Sequence, residues 1–181
     1  AARRAWGAME RRVLRGLLAG RLELHDSAMA EVLPGLYLGS AGAVPGCGAR
    51  VSHVLRCAAG LPTARQEDVA YMDLAMPDNG SAEALRAALC QETLDFVRAG
   101  LAARGCLICC LQGRSRSVSV LLGFLLLERG VGVDEGLDLV RSSRPQAAPN
   151  IGFVLCLRRL QREAAGALPA PAAAAGAGSS P

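Results

Sequence analysis

Apolar and polar positions divide the chain into three zones. In residues 1–27, Trp6, Met9, Val13, Leu14, Leu17 and Leu18 recur at steps of three and four. That spacing predicts an amphipathic helix. Residues 28–165 alternate between short strand-like runs and longer helical patterns. From Gly166 the composition collapses to little but Ala, Gly, Pro and Ser, which buries too little to fold, so a disordered tail is predicted over 166–181.

Within the middle zone, Val32 to Leu38 reads as a strand pair turned at Pro34-Gly35. Val51 to Cys57 and Tyr71 to Met76 read as two further strands. Residues 82–103 carry Leu85, Leu89, Phe96 and Val97 on one helical side. Cys106 to Cys109 is wholly apolar and follows Gly105, the pattern of a buried central strand. Past Gly113, Val118, Leu121, Leu122 and Leu125 return to helical spacing. Asp134 is a good N-cap for a helix through Ser142, which Pro145 stops. Asn150 can cap a last helix to about residue 164. Strands alternating with helices predict an α/β domain with helices packed on a central sheet.

The length of 181 residues suits one domain with a single core. With 51% apolar and only 3% aromatic residues, that core must be built mainly from Leu, Val and Ala. All 20 basic residues are arginine. The absence of lysine excludes a nucleotide-hydrolase phosphate loop, which ends in Lys-Ser/Thr, and any Schiff-base chemistry. The net charge of +4 comes mostly from Arg3, Arg4, Arg11, Arg12, Arg15 and Arg21, opposed there only by Glu10. The main domain is therefore near neutral, and nucleic acid is not an expected partner. The N-terminal basic helix is expected to be a solvated surface helix, with a weak membrane-surface or acidic-partner contact as the minority reading.

Seven unevenly spaced cysteines argue against a secreted disulfide framework. The first apolar run is broken by Arg15, so no signal peptide is read, and Val118 to Leu127 is too short to span a bilayer. A reducing compartment is expected, the cytoplasm or the nucleus.

The chemistry concentrates in Cys110-Leu111-Gln112-Gly113-Arg114-Ser115-Arg116-Ser117, between the apolar strand and the following helix. A loop entering a helix aims several backbone N–H groups at one point, and the helix dipole adds positive potential there. Gly113 permits the tight curvature. Residues 111–116 then form an anion cup, and Cys110 at its start becomes a thiolate more readily than a free cysteine. Arg116 can hold two phosphate oxygens with its planar fork. Ser117 can donate to the sulfur and ease its departure from a phospho-cysteine. A thiolate attacking phosphorus needs an acid for the leaving oxygen, and Asp78, in the turn-rich Met76-Pro77-Asp78-Asn79-Gly80, is the best candidate. Its rival, Asp73, sits mid-strand and reads as structural.

Cys-x5-Arg-Ser with its glycine resembles the signature of cysteine-dependent phosphatases. The wider pattern is similar to the small atypical branch of the dual-specificity phosphatases. Val32-Leu33-Pro34-Gly35-Leu36-Tyr37-Leu38-Gly39-Ser40 resembles the opening strands, and Val51-Ser52-His53-Val54-Leu55 the next strand. Asp78 stands at the usual separation from the cysteine. Arg144-Pro145, Pro149-Asn150 and Gly152-Phe153 resemble the stretch before the last helix. The resemblance covers about residues 30–162. It implies a central mixed sheet flanked by helices. It also implies hydrolysis of phosphotyrosine and phosphoserine/threonine on protein substrates, without cofactor or metal. Inositide-directed relatives tend to carry lysines in the loop, so Leu111 and Gln112 point to protein rather than lipid.

Two departures from the resemblance matter. Cys109 stands where the family usually has a histidine that braces the loop, and a thiol is the weaker hydrogen-bonding group. Ala41 to Arg50 is short and holds Pro45 and three glycines where a longer helix is usual. They motivate a second hypothesis, a pseudophosphatase that captures phosphosites with little turnover. A third, weaker one is an arsenate reductase or low-molecular-weight phosphatase, but those place the cysteine near the chain start.

Blander readings apply elsewhere. Cys57, Cys90, Cys106, Cys109 and Cys156 read as small core residues. Cys106-x2-Cys109 lacks a second pair for zinc, and His53 reads as structural rather than as a protease base. Arg114 is expected to face solvent, where it would attract acidic substrates to the rim.

Overall fold

The computed structural model describes residues 27–61 and 65–167. The predicted helix over 1–27 and most of the predicted tail lie outside the described residues.

Among the described residues, five strands form one sheet: β1 Ala30–Leu33, β2 Leu36–Ser40, β3 His53–Arg56, β4 Ala70–Asp73 and β5 Cys106–Cys110. Their spatial order is β1-β2-β5-β3-β4, so β5 is central. The β1–β2 hairpin turns at Pro34-Gly35 and is antiparallel, while every other pairing is parallel, giving the mixed sheet. In a parallel ladder the strand ends align, and here Ser40 and Cys110 are register partners, as are Arg56 and Cys109. The chemistry-bearing end of β5 is thus flanked by the C-terminal ends of its neighbours, where α/β sheets hold their ligands.

Alternation along the strands sorts the core. Leu36, Leu38, Leu55, Cys106, Ile108 and Cys110 face the helices; Tyr37, Val54, Leu107 and Cys109 face the other way. The helix side holds α1 Ala82–Ala88, α2 Gln91–Ala102, α3 Arg116–Arg129, α4 Val133–Ser143 and α5 Ile151–Ala167. Helix α3 is buried on all sides from Ser117 to Leu126, which marks it as the central helix. Among the described residues, the other face is covered only by the short 3-10 helix Ala41–Gly46 and loops. That segment is unusual in sequence, yet Ala41, Ala43, Val44 and Cys47 are all buried, so it does cover the sheet.

Four expectations are corrected. Cys90, read as a core residue, is exposed, because it sits at the break before the second helix of this stretch. The single helix over 82–103 is two, because Leu89 and Cys90 leave helical geometry. The break turns Leu89 against Gly123 and lets α2 pack on β3 and β5, while α1 packs on α4's neighbours α3 and α5. Gly132, not Asp134, caps α4; Gln161 accepts the Val133 N–H at 2.9 Å, doing from α5 what a local cap side chain would do. Asp134 pairs instead with Arg158 at 2.7 Å. Helix α5 starts at Asn150, whose side chain accepts the Gly152 N–H, and runs to Ala167, past the predicted end.

Candidate active site

Strand β5 ends at Cys110, residues 111–115 curl, and α3 begins at Arg116. A cup of inward amides needs its carbonyls bound on the outside, and each has a donor. Leu111 O accepts from Ala41 N at 3.3 Å, and Arg114 O from Ala148 N at 2.9 Å. Arg144, only 2% exposed, donates through Nε to Gly113 O at 2.8 Å and through Nη2 to Gln112 O at 3.2 Å. Ser115 O accepts both Ser119 N and Ser119 Oγ at 2.9 Å. With the carbonyls tied outward, the amides stay directed at a bound anion. Gly113 has φ +64°, and a Cβ there would run into the backbone of Gly39. The curvature therefore demands glycine both for conformation and for space.

The cavity over this loop has a volume of about 220 Å³ and is lined by Asp78, Cys110, Leu111, Gln112, Arg114, Ser115 and Arg116. Gly113 is the buried turn beneath it. Ser117 lies behind the sulfur, its Oγ 3.2 Å from Cys110 Sγ. The structure thus gathers every residue that the loop motif singled out, with Asp78 across the opening.

Burial by itself would raise the Cys110 thiol. The Ser117 hydroxyl, the amides of Ser117 and Gly113 and the charge of Arg116 more than offset it, and the thiol falls below its ordinary value of 9.0. Its neighbours move the opposite way. Burial pushes Cys106 up to about 12. Cys57 and Cys109 also rise, through burial first and then the charge on Cys110. The effect belongs to the loop, since Cys109 is adjacent in sequence but faces the other side of the sheet.

Among the described residues, two side chains reach Asp78. Ser115 Oγ donates to Oδ1 at 2.6 Å, and Arg116 Nε lies 3.5 Å from Oδ2. Arg116 also donates from Nη1 to Met76 O at 3.4 Å, while its buried Nε makes no hydrogen bond among the described residues. The guanidinium therefore spans from the loop to the Asp78 segment. That segment rests on α5 by close backbone approach: a Cβ on Gly152 would strike Gly80 O. This explains why Gly152 belongs in the pattern.

The rival readings separate on geometry. Asp73 is bound by Arg56 through two contacts and by Arg65 at 2.9 Å, and the Arg56 hydrogen bond holds its carboxyl below the ordinary value. It is a structural anion and a poor proton donor. Cys106 and Cys109 lie on opposite faces of the sheet, so they cannot chelate one ion. His53 pairs in register with Cys106, at the far end of β5 from Cys110, and packs edge-on against Phe96 at 4.8 Å. Arg114 is exposed, as expected, with Nε on Gln146 O at 3.2 Å.

Two contributors escaped the local motif. Arg144 entered only through resemblance, and Asn150 through resemblance and as a helix cap, yet the Asn150 backbone N–H donates to Ser115 Oγ at 3.1 Å. An arginine before a proline at a helix end carries no local sign that it will be buried beneath a loop.

The description "Dual specificity phosphatase, catalytic domain" matches residues 36–163. The chain belongs to the dual specificity phosphatase family. Human dual specificity phosphatase 28 is 36% identical over 132 residues, covering 69% of this chain and 73% of its own length. Dual specificity protein phosphatase 1 of Arabidopsis thaliana is 28% identical over 155 residues, 83% of this chain and 77% of its own. The crystal structure of human DUSP28 superimposes with a TM-score of 0.69 at 29% identity, over 76% of this chain and 95% of that one. A mouse putative dual specificity phosphatase complexed with zinc tungstate gives 0.70 at 27% identity, over 78% and 91%. Among the described residues, no helix of this family member is long and apolar enough to cross a membrane.

Proposed function

We propose that this dual specificity phosphatase domain hydrolyses phosphotyrosine and phosphoserine/threonine in proteins through a phospho-cysteine intermediate. The observation that carries the reading is the convergence of Cys110, Arg116 and Asp78 on one cavity at the mouth of α3. The Cys110 thiolate attacks phosphorus, the S–P bond forms and the P–O ester bond breaks, and Asp78 protonates the departing oxygen. Amides of residues 111–116 and the Arg116 fork stabilise the equatorial oxygens. Water then attacks the phospho-cysteine and gives its proton to Asp78. The S–P bond breaks, Ser117 receives the returning thiolate with a hydrogen bond, and phosphate leaves. Binding of tungstate by the mouse relative is in keeping with a cup for tetrahedral oxyanions. Arg114 at the rim draws acidic segments toward the cavity.

Asp78→Asn tests the acid. With phenyl phosphate, whose leaving phenoxide is basic, kcat/KM falls about 100-fold. With a nitrophenyl phosphate, whose leaving group needs little protonation, the loss is several times smaller. Equal losses on both would remove Asp78 from the role.

The second reading, a phosphosite-binding module with little turnover, is favoured by Cys109. Its thiol is fully buried on the side of Val44 and Cys47, and there it is a weaker hydrogen-bonding group than an imidazole, so it braces the loop less. Cys109→His is expected to raise turnover of an aryl phosphate several-fold, with thermal melting reporting whether the ring fits. An unchanged rate in a folded variant would show that the neighbour does not limit activity. Phosphopeptide binding without turnover, lost in Arg116→Ala, would favour the binding module.

A further inference from the structure

The Ser115 side chain has a place of its own, apart from the backbone it lends to the loop. Its Oγ donates to Asp78 Oδ1 at 2.6 Å and accepts the Asn150 N–H at 3.1 Å. A hydroxyl has one proton. With the Asn150 amide on its acceptor side, that proton is directed to Asp78. Oδ1 is thereby committed as an acceptor, and a proton carried by Asp78 rides on Oδ2, the oxygen on the Arg116 side.

We propose that Ser115 is the positioning residue for Asp78: its hydroxyl, oriented by the Asn150 amide, holds the carboxyl over the cavity and leaves Oδ2 to deliver the proton. The inference rests on the reading of Asp78 as the acid. Among the described residues, Arg116 is the other side chain paired with the carboxyl, but its fork must turn to the substrate's oxygens when phosphate enters. Ser115 is a hold that does not compete with substrate. It also couples three elements in one chain of hydrogen bonds: the start of α5, the anion loop and the Asp78 segment. Asn150 Oδ1 is already engaged by Gly152 N at 2.9 Å, so the backbone that orients Ser115 is itself pinned.

The test is a leaving-group comparison. kcat/KM is measured for phenyl phosphate and for a nitrophenyl phosphate with wild type, Ser115→Ala, Ser115→Thr, Asp78→Asn and the double variant Ser115→Ala/Asp78→Asn. Ser115→Ala is expected to lower the phenyl phosphate rate about tenfold more than the nitrophenyl phosphate rate, since it loosens the acid and leaves the thiolate in place. Ser115→Thr retains a hydroxyl and restores the wild-type ratio. In the double variant, removing Ser115 adds no further leaving-group dependence to that of Asp78→Asn, because the two act through one proton. A Ser115→Ala loss equal on both substrates, beside a steep Asp78→Asn, overturns this proposal alone and reduces Ser115 to a brace of the loop. A flat Asp78→Asn overturns the acid reading and this proposal with it. Should Ser115→Ala not fold, the threonine variant decides: a hydroxyl that fails to keep the wild-type ratio counts against the proposal.

Discussion

Cys110→Ser is expected to lower turnover of an aryl phosphate by about 10⁴-fold or more while leaving phosphopeptide binding in place. The change replaces one atom in a site that is otherwise preserved. Ser117 Oγ, the loop amides and Arg116 stabilise an anion at that position enough to bring a thiol below 9.0. A hydroxyl starts several units higher, and the same field cannot ionise it near neutrality. The cup still binds phosphate, since its amides and Arg116 are untouched. Alkylation by iodoacetamide checks the premise: the pH midpoint for Cys110 lies below the ordinary thiol value in wild type and moves up in Ser117→Ala. If wild-type protein turns over no aryl phosphate at all, yet binds phosphopeptides as the serine variant does, the chain is a binding module.

What could be read in advance follows from what is local. The apolar run from Cys106 and the helical spacing after Gly113 reflect the burial of β5 and α3, so the strand–loop–helix unit was legible without coordinates. Spacing from Cys110 to Arg116 is a property of that unit too. Asp78 is different: it lies beyond two helices, and its place across the cavity comes from β4 running parallel to β3 and from the packing of Gly80 on Gly152. Periodicity placed it in a loop after a strand, and only resemblance placed it near the cysteine. The break at Leu89–Cys90 was hidden because both halves have apolar residues at helical steps. The Gln161 cap and the Arg144 brace were hidden for a further reason: each satisfies backbone groups far away in sequence, and no pattern of neighbours records that.

Arg144 provides the second large expected effect. Replacing it with alanine removes the donors of Gly113 O at 2.8 Å and Gln112 O at 3.2 Å from a buried position. Each carbonyl left unsatisfied costs about 1–3 kcal/mol, so stability is expected to fall by about 2–6 kcal/mol, read by denaturant or thermal melting. The loop can recover those bonds only by turning the carbonyls toward water, which rotates the peptide planes and takes their amides out of the cup. Several oxyanion donors are then lost together, and kcat/KM falls by about 10³-fold or more, at or beyond the upper end of the loss for one such donor. The alkylation midpoint of Cys110 rises in parallel, because amides that lower it now point elsewhere. Arg144→Lys rescues little: an ammonium is a point donor and cannot span two carbonyls as the fork does. A variant that melts earlier but keeps both the wild-type rate and the low midpoint would show that Arg144 supports the fold only, and that the cup holds its shape from the β5 and α3 ends.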